Sequence, residues 1–318
     1  MQTDRNTARS FLTFQFIVSH RPMAMIQRFR LQSLAALLCI FSEPLWACTG
    51  SCGSQWAVLT PQGSIASQEK DLILTALGLM LLVVIPTITM TLYFAWKYRA
   101  SNETPDYAPN WDHSSRIEKV IWGIPTLIIA ILGTLVWIST HRLSPYRPLS
   151  SPYPPLEVQV VAMDWKWLFI YPDLKVATLN QLVIPAGVPV HFVLTSDAVM
   201  SSFFIPQLGG QIYAMAGMTT HLHLIADQPG VFEGYNTQFS GPGFAGMHFE
   251  TRALPSESFH QWVQTASHAP AILDHVRLTQ LEQPTTDVPP QIYRVTAPRL
   301  FNEIVESYQG PHDRMKEN

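Results

Sequence analysis

Thiols are nearly absent from this chain, and the few present sit at one end. Of 318 residues only three are cysteines, Cys39, Cys48 and Cys52. Nothing beyond Cys52 can therefore use a thiolate ligand, a disulfide or a cysteine nucleophile. Charge is scarce as well: 14% of residues are Asp, Glu, Lys or Arg, against about 25% in ordinary soluble domains. The net charge is −3 and no basic runs occur, which excludes nucleic acid as a partner class. The 25 prolines and 16 glycines follow no period, which rules out collagen-like and repeat architectures. Hydrophobic residues, by contrast, make up 47%. Few charges with many apolar side chains point to a chain that partly faces lipid.

Two stretches lack Lys, Arg, Asp, Glu and His altogether. They run from Leu72 to Trp96 and from Val120 to Thr140. About 20 apolar residues cross a bilayer as a helix, so 72–96 and 120–140 are expected as transmembrane helices rather than buried core helices. Pro86 and Pro125 are tolerable there, because neighbouring groups can satisfy the freed carbonyls. Tyr93, Trp96, Trp122 and Trp137 fall near the ends, where amphipathic rings favour the headgroup zone. The connector 97–119 carries Lys97, Arg99, Arg116 and Lys119. The flank 48–71 carries only Lys70, and the segment after the second span carries Arg142 and Arg147. That asymmetry puts the connector in the cytoplasm and both outer segments outside.

Residues 1–47 are expected to be an export leader. Arg28 and Arg30 precede an apolar run, Leu31 to Phe41, that is too short to span a membrane. The stretch before Met23 is long for a leader, so Met23 or Met25 is a candidate start. Leu45-Trp46-Ala47-Cys48 resembles a lipoprotein cleavage box, which makes Cys48 the expected acylation site; the alternative is an uncleaved leader with Cys48 and Cys52 free or bridged. Segment 48–71 would then be external, ahead of the first span.

Past a Pro-rich linker at 141–155, residues 156–254 carry short runs rich in Val, Ile, Phe and Tyr, punctuated by Gly, Pro, Asn and Asp. Strands are expected at Leu156–Ala162, Trp165–Tyr171, Leu182–Pro185, Val190–Ser196, Gln211–Met215, His221–Ala226 and Met247–Arg252. The pattern suits an antiparallel sandwich or barrel. After Pro255 the period changes: Phe259, Trp262 and Val263 follow a helical spacing, and so do Leu300, Ile304 and Tyr308. Residues 255–318 are expected to be a small helical extension.

Several long strings identify a family. They are Phe94-Ala-Trp-Lys-Tyr-Arg-Ala-Ser-Asn102, Met163-Asp-Trp-Lys-Trp167, Ser202-Phe-Phe-Ile-Pro206, Gln211-Ile-Tyr-Ala-Met-Ala-Gly-Met218 and Ser240-Gly-Pro-Gly-Phe244. With the two spans ahead of an outward sandwich, the chain resembles subunit II of the haem-copper terminal oxidases, in the cytochrome bo-type ubiquinol oxidase branch. The resemblance implies a two-helix transmembrane hairpin plus an all-β, cupredoxin-like sandwich. In relatives that oxidise cytochrome c, that sandwich holds a two-copper centre whose ligands follow one His and then Cys-x-x-x-Cys-x-x-x-His-x-x-Met. Laid on this chain, those positions are Ser201, Phe239, Gly243, Met247 and Glu250, and no ligand type survives. Two thiolates are needed to bridge the coppers, so the resemblance implies no cofactor in this chain. It places haems and copper in a partner, subunit I, with subunits III and IV as further partners and ubiquinol as the substrate of the complex. It also marks Trp165 and Trp167 as a possible docking patch. Glu118 is marked as a possible entrance to a proton path, although an acid there can equally cap the helix or pair with Arg116 or Lys119.

Other residues are candidates for sites on their chemistry alone. His221 and His223 flank one residue on a strand, so with His191 or His248 they are candidates for copper or zinc, against a solvated pair. Cys48 and Cys52 have the copper-loop spacing but no nearby His. Met200, Met215, Met218 and Met247 suit packing better than a thioether site. Asp164 has no partner acid, base or nucleophile beside it, so no catalytic residue is assigned. The alternative function is a stand-alone, membrane-tethered cupredoxin-like lipoprotein for copper handling or structural support.

Overall fold

The computed structural model describes residues 57–102 and 113–309. The leader, Cys48, Cys52 and the middle of the connector lie outside the described residues. Two long helices come first, α1 (Ser64–Lys97) and α2 (Ser115–Arg142). Both outrun the charge-free stretches, because helix geometry continues through polar flanks such as Gln68–Asp71. The absence of charge marks the lipid-facing portion, not the helix ends. Burial is nearly nil along them: only Ile65, Ala66 and Ile128 are shielded. Their hydroxyls turn inward, as where Thr87 Oγ1 donates to Val83 O at 2.8 Å and Thr126 Oγ1 to Trp122 O at 2.7 Å. Such back-bonding satisfies these hydroxyls in an apolar medium.

Strands β1 (Leu156–Met163), β2 (Lys166–Tyr171), β3 (Val176–Leu179), β5 (Val190–Ser196) and β8 (Thr220–Leu224) belong to one sheet. Two C-terminal strands, β11 (Ile272–Leu273) and β12 (Gln291–Val295), join them in the order β11-β12-β3-β2-β1-β5-β8. The other sheet holds β4 (Gln181–Pro185), β6 (Ser201–Phe204), β7 (Gln211–Ala214), β9 (Gly230–Asn236) and β10 (His248–Leu254), in the order β4-β10-β9-β6-β7. Between the sheets lies an apolar core that includes Val160, Trp167, Phe169, Phe192, Phe203 and Phe249. This is the expected sandwich, but it is mixed rather than antiparallel, since β1 pairs in parallel with β5 and β4 with β10. The sequence pattern missed β3, β6 and β9. Val176-Ala-Thr-Leu is buried throughout and so shows no alternation, and a short strand buried on both sides has no period to read.

The C-terminal segment is helical, with α3 (Ser256–Ser267), α4 (His275–Glu282) and α5 (Leu300–Tyr308), but it is not only helical. β12 pairs antiparallel with β3 and widens the first sheet. A second core forms on that sheet's outer face from Val161, Leu168 and Leu179 against Leu278, Tyr293, Phe301 and Ile304. The extension is therefore integral to the sandwich. Lys166, 1% exposed, anchors it: its Nζ donates to Gln283 O at 2.8 Å and to Thr285 Oγ1 at 2.7 Å. At its far end, the Tyr308 hydroxyl donates to Asp197 O at 2.8 Å.

The hairpin is stitched to the sandwich at the start of α1. Gln62 N donates to Gln207 O at 2.8 Å, Ala66 N to Leu208 O at 3.2 Å, and Gly210 N to the Glu69 carboxylate at 3.0 Å. Gly209, at φ +91°, has no room for a side chain, because a Cβ would lie 2.7 Å from Ala66 N.

Burial, and then the Glu282 carboxylate, push the Asp197 carboxyl from its ordinary 3.8 up to about 6. Its contribution to stability is thus fully present below the unfolded value and is lost as pH rises toward 6. Asp197→Asn removes the charge that forms over that window. In thermal melts of the 141–318 segment, the variant should gain stability relative to the parent between pH 4 and pH 7. An offset that is constant over this range would exclude Asp197 as the titrating group.

Candidate functional site

The positions that would hold a two-copper centre do not converge as a ligand set. Ser201 opens β6 and Met247 precedes β10, each 2% exposed, and both meet the side chain of Asn236 at the end of β9. Asn236 Nδ2 lies 3.4 Å from Ser201 Oγ, 3.1 Å from Ser240 Oγ and 3.1 Å from Met247 Sδ. Its Oδ1 accepts from Ser202 N at 2.8 Å and from Gln238 N at 3.1 Å. One amide thus ties the end of β9 to the start of β6 and to the residue before β10. Phe239 points outward, 72% exposed, with its ring 5.7 Å from that of Phe244. Glu250 is on the solvent side of β10, accepting from Gln181 Nε2 at 3.3 Å with Arg252 Nε 3.6 Å away. Alternation along the strand turns Phe249 inward and Glu250 out.

Gly243 is closed in a different way. A Cβ there would sit 2.3 Å from Trp165 Cδ2 and 2.7 Å from Thr286 Cγ2. Trp165 occupies the two-residue turn between β1 and β2 at φ +63°, an uncommon conformation for a bulky residue. Its indole spans the loop and donates from Nε1 to Ser240 O at 3.1 Å. Trp165 is half-buried and remains available as a surface aromatic. Trp167 does not: it is 0% exposed, at 5.5 Å from the Phe203 ring and 5.7 Å from the Phe249 ring. The expected docking pair reduces to Trp165, because the two-residue turn sends Trp167 into the core. Asn236, the residue that organises the loop, went unnoticed in the sequence. A lone asparagine before the Thr237–Ser240 stretch looks like turn punctuation until its burial is known.

His221 and His223 do share a face, and His191 joins them from β5, whereas His248 lies on the other sheet. His191 and His223 stack at 4.5 Å with an interplanar angle of 6°, and His191 Nε2 is 3.1 Å from His221 Nδ1. A metal bound to an imidazole lies in the ring plane. Two parallel stacked rings have no common in-plane point, so His191 and His223 cannot ligate one ion as placed. Among the described residues, no group of three or more His, Cys, Asp or Glu is arranged to hold a metal. Burial, then the two neighbouring imidazoles, hold His191 below the usual histidine range, with Glu157 partly opposing. His223 Nδ1 faces Pro145 O at 3.0 Å, and Tyr146 meets His221 edge-on at 5.9 Å. The cluster fastens the linker to the sandwich.

Glu118 is exposed in the first turn of α2, its backbone N–H donating to Ser114 O at 3.0 Å. A carboxylate there complements the helix dipole and stands at the connector end of the hairpin. Cys48 lies outside the described residues.

With the geometry in view, the likenesses to known proteins can be set beside it. Residues 172–253 match the family described as cytochrome C oxidase subunit II, periplasmic domain, and residues 269–312 match the COX Aromatic Rich Motif. A cytochrome bo(3) ubiquinol oxidase subunit 2 from Pseudomonas putida is 52% identical over 81% of this chain and 82% of its own length. The protein of the same name from Pseudomonas aeruginosa is 51% identical over 82% of this chain and 79% of its own length. Ubiquinol oxidase subunit 2 of Acetobacter aceti is 46% identical over 81% and 84%.

The packing of Trp165 on Gly243 generates a prediction. Gly243→Ala should destabilise the sandwich by about 1–3 kcal/mol through overpacking, and Trp165→Ala in the same chain should recover much of that loss. Denaturant titration of the four members of the cycle measures the coupling. Additive losses would mean that the two residues do not constrain each other.

Proposed function

This chain belongs to the ubiquinol oxidase branch of the subunit II family, and from that premise we propose that it serves as the copper-free outer subunit of a proton-pumping quinol oxidase. The complex oxidises ubiquinol, reduces dioxygen to water and moves protons outward. Haems and copper reside in subunit I. The hairpin packs against subunit I, subunits III and IV complete the assembly, and the sandwich caps the outer face, where it contributes to assembly and to shaping quinol access. The chain lies in the bacterial inner membrane with its connector cytoplasmic and its sandwich periplasmic. Cys48 carries a lipid after the leader is removed.

The observation that supports this reading is the Asn236 amide, which is hydrogen-bonded to Ser201 and Met247, two positions where the resemblance implies copper ligands in relatives. Without bridging thiolates the sandwich passes no current, so electrons reach the haems from a membrane quinol. Trp165 then acts as a cover for the loop and as a contact for neighbouring subunits. Glu118, at the connector end of α2, collects protons from the cytoplasm for a path in subunit I; an acid at a membrane interface is suited to that task. Bare apolar flanks on both helices support packing against another membrane protein as well as lipid.

A tag on this chain tests the assignment. Purification in mild detergent should bring down haem with quinol oxidase activity, and recovery of the chain alone, without haem, would reject it. Glu118→Gln should slow oxygen consumption and lower the protons moved per electron, with haem content unchanged; an unaltered rate and ratio would leave Glu118 as a helix-capping acid. Cys48→Ser should abolish labelling by radioactive fatty acid, and persistent labelling would exclude Cys48 as the acylated residue.

A further inference from the structure

Where the membrane helices meet the sandwich there is a cavity of about 280 Å³. It lies between the first turns of α1, the chain leaving α2, and β8. Ile65, Leu149 and Leu222 form an apolar part of its wall, and the exposed Arg142 and Arg147 line it as well, with His223 alongside. Among the described residues neither guanidinium has an ion-pair or hydrogen-bond partner. Two like charges lining one cavity without a counter-charge invite an anion.

Height and rigidity narrow the choice of anion. The charge-free stretch of α2 ends at Thr140 and Arg142 closes the helix, one turn beyond Trp137, which is 70% exposed. That is the level of lipid headgroups, where tryptophan rings concentrate. The segment bearing both arginines is held in place rather than swinging freely. Leu143 N donates to Ser139 O at 2.8 Å, Arg147 N donates to Ser144 O at 3.0 Å, and Pro145 O is held at 3.0 Å from His223 Nδ1. A planar guanidinium fork matches phosphate oxygens and binds them with geometric selectivity. The apolar wall suits the glycerol and first acyl carbons of a lipid, and has no use for a free inorganic ion.

We propose that this cavity binds the phosphate group of a membrane glycerophospholipid, with Arg142 and Arg147 on the phosphate and Ile65, Leu149 and Leu222 against the lipid's apolar shoulder. The lipid would fill the corner between hairpin and sandwich and fix the tilt of one relative to the other. This goes beyond the proposed oxidase role and concerns a ligand of this chain itself.

Native mass spectrometry of the complex, purified through this chain and washed extensively in detergent, provides the test. The parent should carry a tightly held phospholipid adduct on this chain. Arg142→Gln with Arg147→Gln should lose it, and Arg252→Gln, on the remote face of β10, should keep it. Millimolar inorganic phosphate in the wash should leave the adduct in place. Equal adducts in parent and double variant would overturn the proposal, as would displacement by phosphate alone, which would mark a soluble-anion site. If the double variant does not assemble, Arg147→Gln and Arg147→Lys are compared: retention should fall further for Gln, and equal retention would count against the site. Because the adduct is read on this chain, absence of haem would strike the oxidase role and leave the lipid site standing.

Discussion

The side chain of Asn236 accepts two backbone N–H groups through its oxygen and shares its two amide protons among Ser201, Ser240 and Met247. Each of those groups is buried or half-buried, and each would cost about 1–3 kcal/mol if left unsatisfied. The amide thereby fixes the end of β9, the start of β6 and the loop that leads into β10. With Trp165 lying across Gly243, it closes the interior from two sides. A metal centre needs ligand atoms converging on an open point. Here only Ser201 and Met247 meet, and an amide hydrogen-bonded to both lies between them.

The way the sandwich is joined to the membrane helices suits a mechanical task. The α1 start is bonded to the β6–β7 loop, and the α2 exit is held by the histidine cluster on β5 and β8. Both membrane helices thus enter the sandwich through fixed joints. The C-terminal extension adds strands to the sheet and a second core to its outer face, so β1 and β2 are buried on both sides. A domain built this way transmits position, which suits a subunit that caps a membrane enzyme.

Much of this was legible in the sequence. Charge-free stretches of 25 and 21 residues identified the membrane helices, because desolvating a charge in lipid is expensive at any register. Alternating and β-branched runs identified β5, β8 and β10. That neither Phe239 nor Gly243 supplies a sulfur was readable from residue types alone. Other features depended on tertiary context. β3 has no period because both its faces are covered. Trp167 differs from Trp165 only by the direction that a turn imposes, and no composition rule predicts that. Asn236 and Lys166 are polar residues whose burial is justified by partners as far as 119 positions away. The histidines were recognised as a group, but whether their rings aim at one point is a matter of orientation.

The account turns on where electrons enter the complex. If the sandwich holds no relay, current must arrive from the membrane. Oxygen consumption by the complex purified through this chain, supplied in turn with ubiquinol and with reduced cytochrome c, measures this directly. Turnover with ubiquinol and none with cytochrome c is the predicted result. Sustained turnover with cytochrome c would contradict it, because only a metal centre seated in the sandwich could carry that current.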